Sequence, residues 1–131
     1  MHKVFVYGSL LSGLGNHRLL ETSKKLGVTK TPEGFDMLDL GYFPGAIKGQ
    51  GVLIGEVYEV DDVVLKDLDR LEGYHDKNNN HNNMYNRIEI ETEFGKAYIY
   101  IYELYSNNNA FKRAIVEDGD WRTHYTKKLN K

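Results

Sequence analysis

Val4-Phe5-Val6-Tyr7-Gly8-Ser9-Leu10 carries four β-prone residues straight into a glycine, a hydroxyl residue and a leucine. Branched and aromatic side chains suit an extended chain. The glycine permits backbone geometry that a side chain forbids, so a strand can break into a tight loop there. Consecutive N–H groups left unpaired in such a loop suit an anion or a developing oxyanion. The same residues also describe an ordinary strand end and turn, and the stretch alone does not choose between the two.

The rest of the chain bounds the answer. Its 131 residues suffice for a single domain, 1–131, with a real hydrophobic core. Seventeen basic against 19 acidic side chains leave a net charge of -2 and no basic patch for nucleic acid. Without cysteine there are no disulfides, no thiolate metal site and no cysteine nucleophile, which fits a reducing cytoplasm. Met1-His2-Lys3-Val4 enters the strand pattern directly, which leaves no room for a signal peptide, and no apolar run reaches membrane-spanning length. A cytoplasmic protein with no membrane contact is expected; the oligomeric state is not legible.

Beyond the opening loop, Asn16 as N-cap, Leu19, Leu20 and Leu26 on one face and Gly27 as a stop predict a short helix. His17 at its start serves either acid–base chemistry or local hydrogen bonds. Pro32, Gly34, Gly41, Pro44, Gly45 and Gly49 break residues 28–49 into short strands and turns, with Phe35 to Leu40 paired in a sheet and residues 41–45 a loop. Gly51 to Val60 reads as strand, Gly55 marking a bulge or a close backbone approach.

Residues 61–73 give the clearest helix: Asp61 or Asp62 caps it, Val64, Leu65, Leu68 and Leu71 repeat at helical spacing, and Gly73 stops it. Glu72, in the last turn, meets the negative end of the helix dipole, and Asp69 lies three residues earlier on the same side. Both raise its proton affinity, in the direction a general base near neutrality needs. A solvated helix-end glutamate is the plainer alternative. Residues 74–83 form an exposed polar loop in which His75, Asp76 and His81 match no metal-ligand spacing. Strict alternation then predicts a hairpin, Ile88 and Ile90 opposing Arg87, Glu89 and Glu91, with a turn at Glu93-Phe94-Gly95-Lys96. Tyr98, Tyr100 and Tyr102 share a face, lining a pocket or covering a sheet. Ser106 to Asn109 is another polar break, Asp118 to Arg122 a turn that delivers the single tryptophan as an anchor, and Lys127 to Lys131 a fraying end.

Taken in order, Val4 to Leu10, Asn16-His17-Arg18-Leu19-Leu20, Gly55 to Asp61, Leu68-Asp69-Arg70-Leu71-Glu72-Gly73-Tyr74, Tyr85 with Arg87, and Gly119-Asp120-Trp121-Arg122 resemble the gamma-glutamylcyclotransferase-like (AIG2-like) family. The small bacterial-type members and the gamma-glutamylamine cyclotransferases are the most similar. The resemblance implies an α+β fold, a small mixed β-barrel with peripheral helices. It implies that Tyr7, Gly8, Ser9 and Leu10 bind the glutamyl part of a substrate, that Glu72 is catalytic, and that Tyr85 and Tyr100 border the pocket. No metal or organic cofactor is implied.

The implied reaction is intramolecular. The free α-amino group of a gamma-glutamyl amine or amino acid attacks its own γ-carbonyl, which closes 5-oxoproline and expels the amine. The same fold also admits a non-catalytic binding module for a glutamyl-like anionic ligand. The Asn-rich segment 78–83 is longer and more polar than the family pattern.

Overall fold

β1 (His2–Val6) runs through the middle of a seven-stranded mixed sheet. The computed structural model describes residues 1–75, 78, 82–103 and 115–129. Successive side chains of an extended strand alternate between faces. Val4 and Val6 accordingly enter one buried cluster while Phe5 and Tyr7 enter another. Both faces of the central strand are therefore core, which is why its sequence is apolar without interruption.

β5 (Ile54–Val60) lies antiparallel on one edge of β1, with Val4 opposite Tyr58. β7 (Gly95–Tyr102) lies parallel on the other edge, meeting it at Val4 and Tyr98. β2 (Lys24–Lys30) extends the sheet beyond β5. β4 (Pro44–Lys48) joins β7 in parallel at Ala46 and Ile101 and carries β3 (Phe35–Asp39) on its outer side. β6 (Tyr85–Thr92) forms the predicted hairpin with β7, turning at Glu93-Phe94.

The α+β mixed sheet is as expected, but its ladder does not close into a barrel. β7 commits one edge to β6 and divides the other between β1 and β4, so the sheet branches and leaves β2 and β3 at opposite ends.

α1 (Asp62–Leu71) lies within the expected 61–73, with Asp61 as its N-cap and Glu72 as its C-cap. The Asp61 carboxylate accepts from the Val64 N–H at 2.8 Å, Val64, Leu65 and Leu68 pack on the first cluster, and Gly73 takes φ +67°. The helix expected from Asn16 to Gly27 is only a 3₁₀ turn, His17–Leu20. Leu26 and Gly27 belong to β2, where pairing with β5 outcompetes a helix too short to repay its nucleation. Gly27 lies beside a register shift and beneath the Phe94 ring, where a Cβ would stand 2.6 Å from Cζ. The loop expected over 41–45 ends two residues early, since Pro44 begins β4.

The C-terminal stretch holds a helix that sequence periodicity did not reveal, α2 (Trp121–Leu129). Gly119, at φ +65°, presses against the Val52 carbonyl and turns the chain into it. Lys127 and Lys128, expected to fray, are helical. The expected polar break at Ser106 to Asn109, together with Asp76 and His81, lies outside the described residues. No helix among the described residues is long and apolar enough to cross a membrane.

Candidate active site

A cavity of about 470 Å³ opens where β1 ends, a volume typical of small-molecule sites. Tyr7, Gly8, Ser9, Leu10, Glu72, Tyr85 and Tyr100 all line it. The seven residues to which the family resemblance gives a site role are thus brought to one place. The turn at 41–43 and α2 complete the wall through Tyr42, Phe43, Trp121 and Tyr125.

Glu72 closes α1 as its C-cap residue, its N–H bonded to the Leu68 carbonyl at 2.9 Å. That backbone bond fixes the helix end from which its side chain enters the cavity. Burial pushes its carboxyl up to about 8, because a low-dielectric site disfavours the charged form. Among the described residues, none donates a hydrogen bond to that carboxylate. Asp69, expected to add repulsion, is occupied elsewhere. Arg87 Nη1 donates to both its oxygens at 2.8 and 2.7 Å, and the Tyr100 hydroxyl donates to it at 2.6 Å. Arg87 also lies over the rings of Tyr98 and Tyr74, 4.4 and 5.0 Å from their centroids. This cluster ties the end of α1 to β6 and β7.

The glycine loop presents the second chemical element. Leu11 N–H donates to the Gly8 carbonyl and Asn16 N–H to the Ser9 carbonyl, which curls the backbone. The N–H groups of Gly8, Ser9 and Leu10 donate to nothing among the described residues. The need for glycine at position 8 is steric and not conformational: its φ is not positive, yet a Cβ there would lie 2.8 Å from both Cγ and Cδ of Pro44. Asn16, expected as a cap, instead gives its side-chain amide to the Ser9 hydroxyl at 2.8 Å. His17 does not line the cavity; its Nδ1 lies 2.9 Å from the Leu10 carbonyl, which can only accept, so the ring donates there.

Three phenols enclose Glu72. The Tyr7 hydroxyl donates to the Tyr100 carbonyl at 2.7 Å and accepts from the Ala46 N–H at 3.0 Å. The Tyr85 hydroxyl donates to the Pro44 carbonyl at 2.7 Å. Burial pushes the pKa of Tyr7, Tyr85 and Tyr100 up, reinforced at Tyr7 by the Glu72 charge and at Tyr100 first by its bond to the Asp69 carboxylate. These hydroxyls stay protonated and act as fixed donors.

Sequence reasoning missed Glu56, on β5, which is 1% exposed. One carboxylate oxygen accepts from the Ser12 N–H and the Tyr58 hydroxyl, both at 2.9 Å. The other accepts from the Ser12 hydroxyl at 3.0 Å, Arg122 at 3.2 Å and Lys25 at 3.4 Å. Burial raises its pKa, but the bonds from Ser12 and Tyr58 and the Lys25 charge outweigh that and hold it down to about 2. An acid on the same inward parity as Tyr58 was the available signal. α2 was missed for a related reason: only Trp121 of its residues is buried, so it shows little periodicity. Its mark was Asp120, whose carboxylate accepts from the Thr123 hydroxyl at 2.9 Å at the helix start.

Residues 4–123 match the model of the family described as gamma-glutamyl cyclotransferase, AIG2-like. A relative from Vibrio cholerae serotype O1 is 39% identical over 120 residues, spanning 92% of this chain and 95% of its own. The gamma-glutamylcyclotransferase family protein YtfP of Escherichia coli K12 is 32% identical over 119 residues, 91% of this chain and 95% of that one. A crystal structure of a Pyrococcus horikoshii protein superposes with a TM-score of 0.78 at 28% identity, covering 99% of this chain and 98% of the other.

Proposed function

The chain belongs to the AIG2-like gamma-glutamyl cyclotransferase family and is an enzyme of that type, and we propose that its substrate is a gamma-glutamyl amine or amino acid, cyclised to 5-oxoproline. One observation carries the proposal. A single carboxyl, Glu72, has its pKa pushed up to about 8 by burial and shares a cavity with a loop whose N–H groups are unclaimed.

The geometry maps onto the chemistry in few steps. Glu72, when ionised, takes a proton from the substrate α-ammonium. The freed nitrogen attacks the γ-carbonyl carbon, forming the ring C–N bond and placing negative charge on the carbonyl oxygen. N–H groups of Gly8, Ser9 and Leu10 hold that charge or the α-carboxylate. Collapse of the intermediate breaks the bond to the leaving nitrogen, which takes the proton held by Glu72 and departs as the free amine. The regenerated carboxylate accepts the second proton of the ring nitrogen to leave neutral 5-oxoproline. The nucleophile and carbonyl already share one molecule, so the enzyme's task is to fold the substrate and move protons.

Incubation with gamma-glutamyl amines, amino acids and peptides, with 5-oxoproline measured, tests the reading. Formation of 5-oxoproline in step with the free amine is expected. Protection against heating by a gamma-glutamyl compound with no product formed would favour the binding module instead.

A further inference from the structure

Glu56 takes no part in the proton transfers above, yet it is among the largest fully buried side chains and carries charge. A buried carboxylate is costly unless hydrogen-bonded and paired, and here it is both. Its partners come from different parts of the chain. Ser12 stands two residues beyond Leu10, the last of the three loop N–H groups. Arg122 stands next to Trp121, which also lines the cavity. Arg122 also donates to the Ser12 hydroxyl at 3.2 Å and to the Ser12 carbonyl, so the loop and α2 are joined directly as well as through Glu56.

We propose that Glu56 is a positioning residue for the reaction, a buried anion that clamps the glycine loop through Ser12 and the α2 wall through Arg122, and thereby aims the Gly8–Leu10 N–H groups into the cavity. The inference rests on the proposed function for its catalytic consequence, but the clamp itself is a statement about the loop alone. Charge-assisted bonds to a carboxylate are shorter and about twice as strong as neutral ones. Glutamine keeps the volume and one acceptor but turns an NH₂ group toward donors that then have nothing to accept them.

The test uses the intact protein with Glu56→Gln, Ser12→Ala and Arg122→Met. Amide NMR follows Gly8, Ser9 and Leu10, and turnover follows 5-oxoproline against pH. In Glu56→Gln the three amides are expected to broaden or shift and to exchange faster. kcat/KM is expected to fall at least tenfold with the inflection set by Glu72 unmoved, since burial alone sets that inflection. A loss in kcat places the aimed N–H groups on the oxyanion; a rise in KM places them on the α-carboxylate; both support the clamp. If Glu56→Gln does not fold, Ser12→Ala and Arg122→Met, each removing one partner, should show the same amide changes and a smaller loss. Unperturbed loop amides, or kcat/KM within twofold of the parent in folded variants, would overturn the proposal. Perturbed amides in a protein whose parent makes no 5-oxoproline would leave the clamp standing and sink the assigned substrate.

Discussion

The Tyr7 hydroxyl donates to the Tyr100 carbonyl across 2.7 Å while accepting from the Ala46 N–H on β4. It stands where β1 has ended and β4 takes over the edge of β7, so a side chain completes a ladder the backbone cannot. Tyr7→Phe leaves a buried N–H and a buried carbonyl short of a partner and should cost about 1–3 kcal/mol. Denaturant melting checks this, with a lowered midpoint and an unchanged slope expected.

Glu72→Gln should abolish 5-oxoproline formation without loss of fold. Stability gives a second readout, with a definite sign. The folded protein holds the Glu72 proton up to about 8, whereas an ordinary glutamate releases it near 4.5. The native state therefore binds more protons in that window, and the wild type loses stability as pH rises through it. Glutamine is neutral throughout, so melting temperatures should lie close together at pH 4.5 and favour the variant by several degrees at pH 8.5, the full shift being worth up to roughly 4–5 kcal/mol.

Glu72 and Glu56 should titrate far apart. With ¹³C-labelled side chains, the Glu72 carboxyl resonance is expected to move with a midpoint near 8, while Glu56 stays ionised until about pH 2. For Glu72 acting as base, kcat/KM should climb with pH and level off above that midpoint. A Glu72 midpoint near 4.5 would remove the physical basis for its role.

Gly8 and Gly15 both line the cavity, yet they should respond oppositely to alanine. A methyl group at position 8 meets the Pro44 ring at 2.8 Å, an overpacking cost of about 1–3 kcal/mol. At position 15 it meets nothing within 4 Å and no positive φ, so an effect below ~0.5 kcal/mol is expected. Thermal melts and kcat/KM should both fall for Gly8→Ala and stay near the parent for Gly15→Ala.

Local chemistry is what the sequence displayed well. α1 announces itself through Asp61, its apolar spacing and Gly73, and the hairpin through strict alternation. Lys24 to Lys30 misled because its fate is decided by a distant partner, β5, and not by its own pattern. Glu72 was placed correctly at a helix end, but the cause of its raised proton affinity is burial, and burial depends on Tyr7, Tyr85 and Tyr100 arriving from elsewhere. Glu56 stayed hidden for the same reason: its partners Ser12, Lys25 and Arg122 are separated along the chain and meet only in the fold.

The central placement of β1 also bears on how the sheet assembles. Its two edges are covered by β5 and β7, and its loop is held by Arg122, all of them distant along the chain. Pairings so distant along the chain are slow to form. An apolar strand at the centre of the sheet is thus secured by long-range contacts on both edges, and its loop by one longer still.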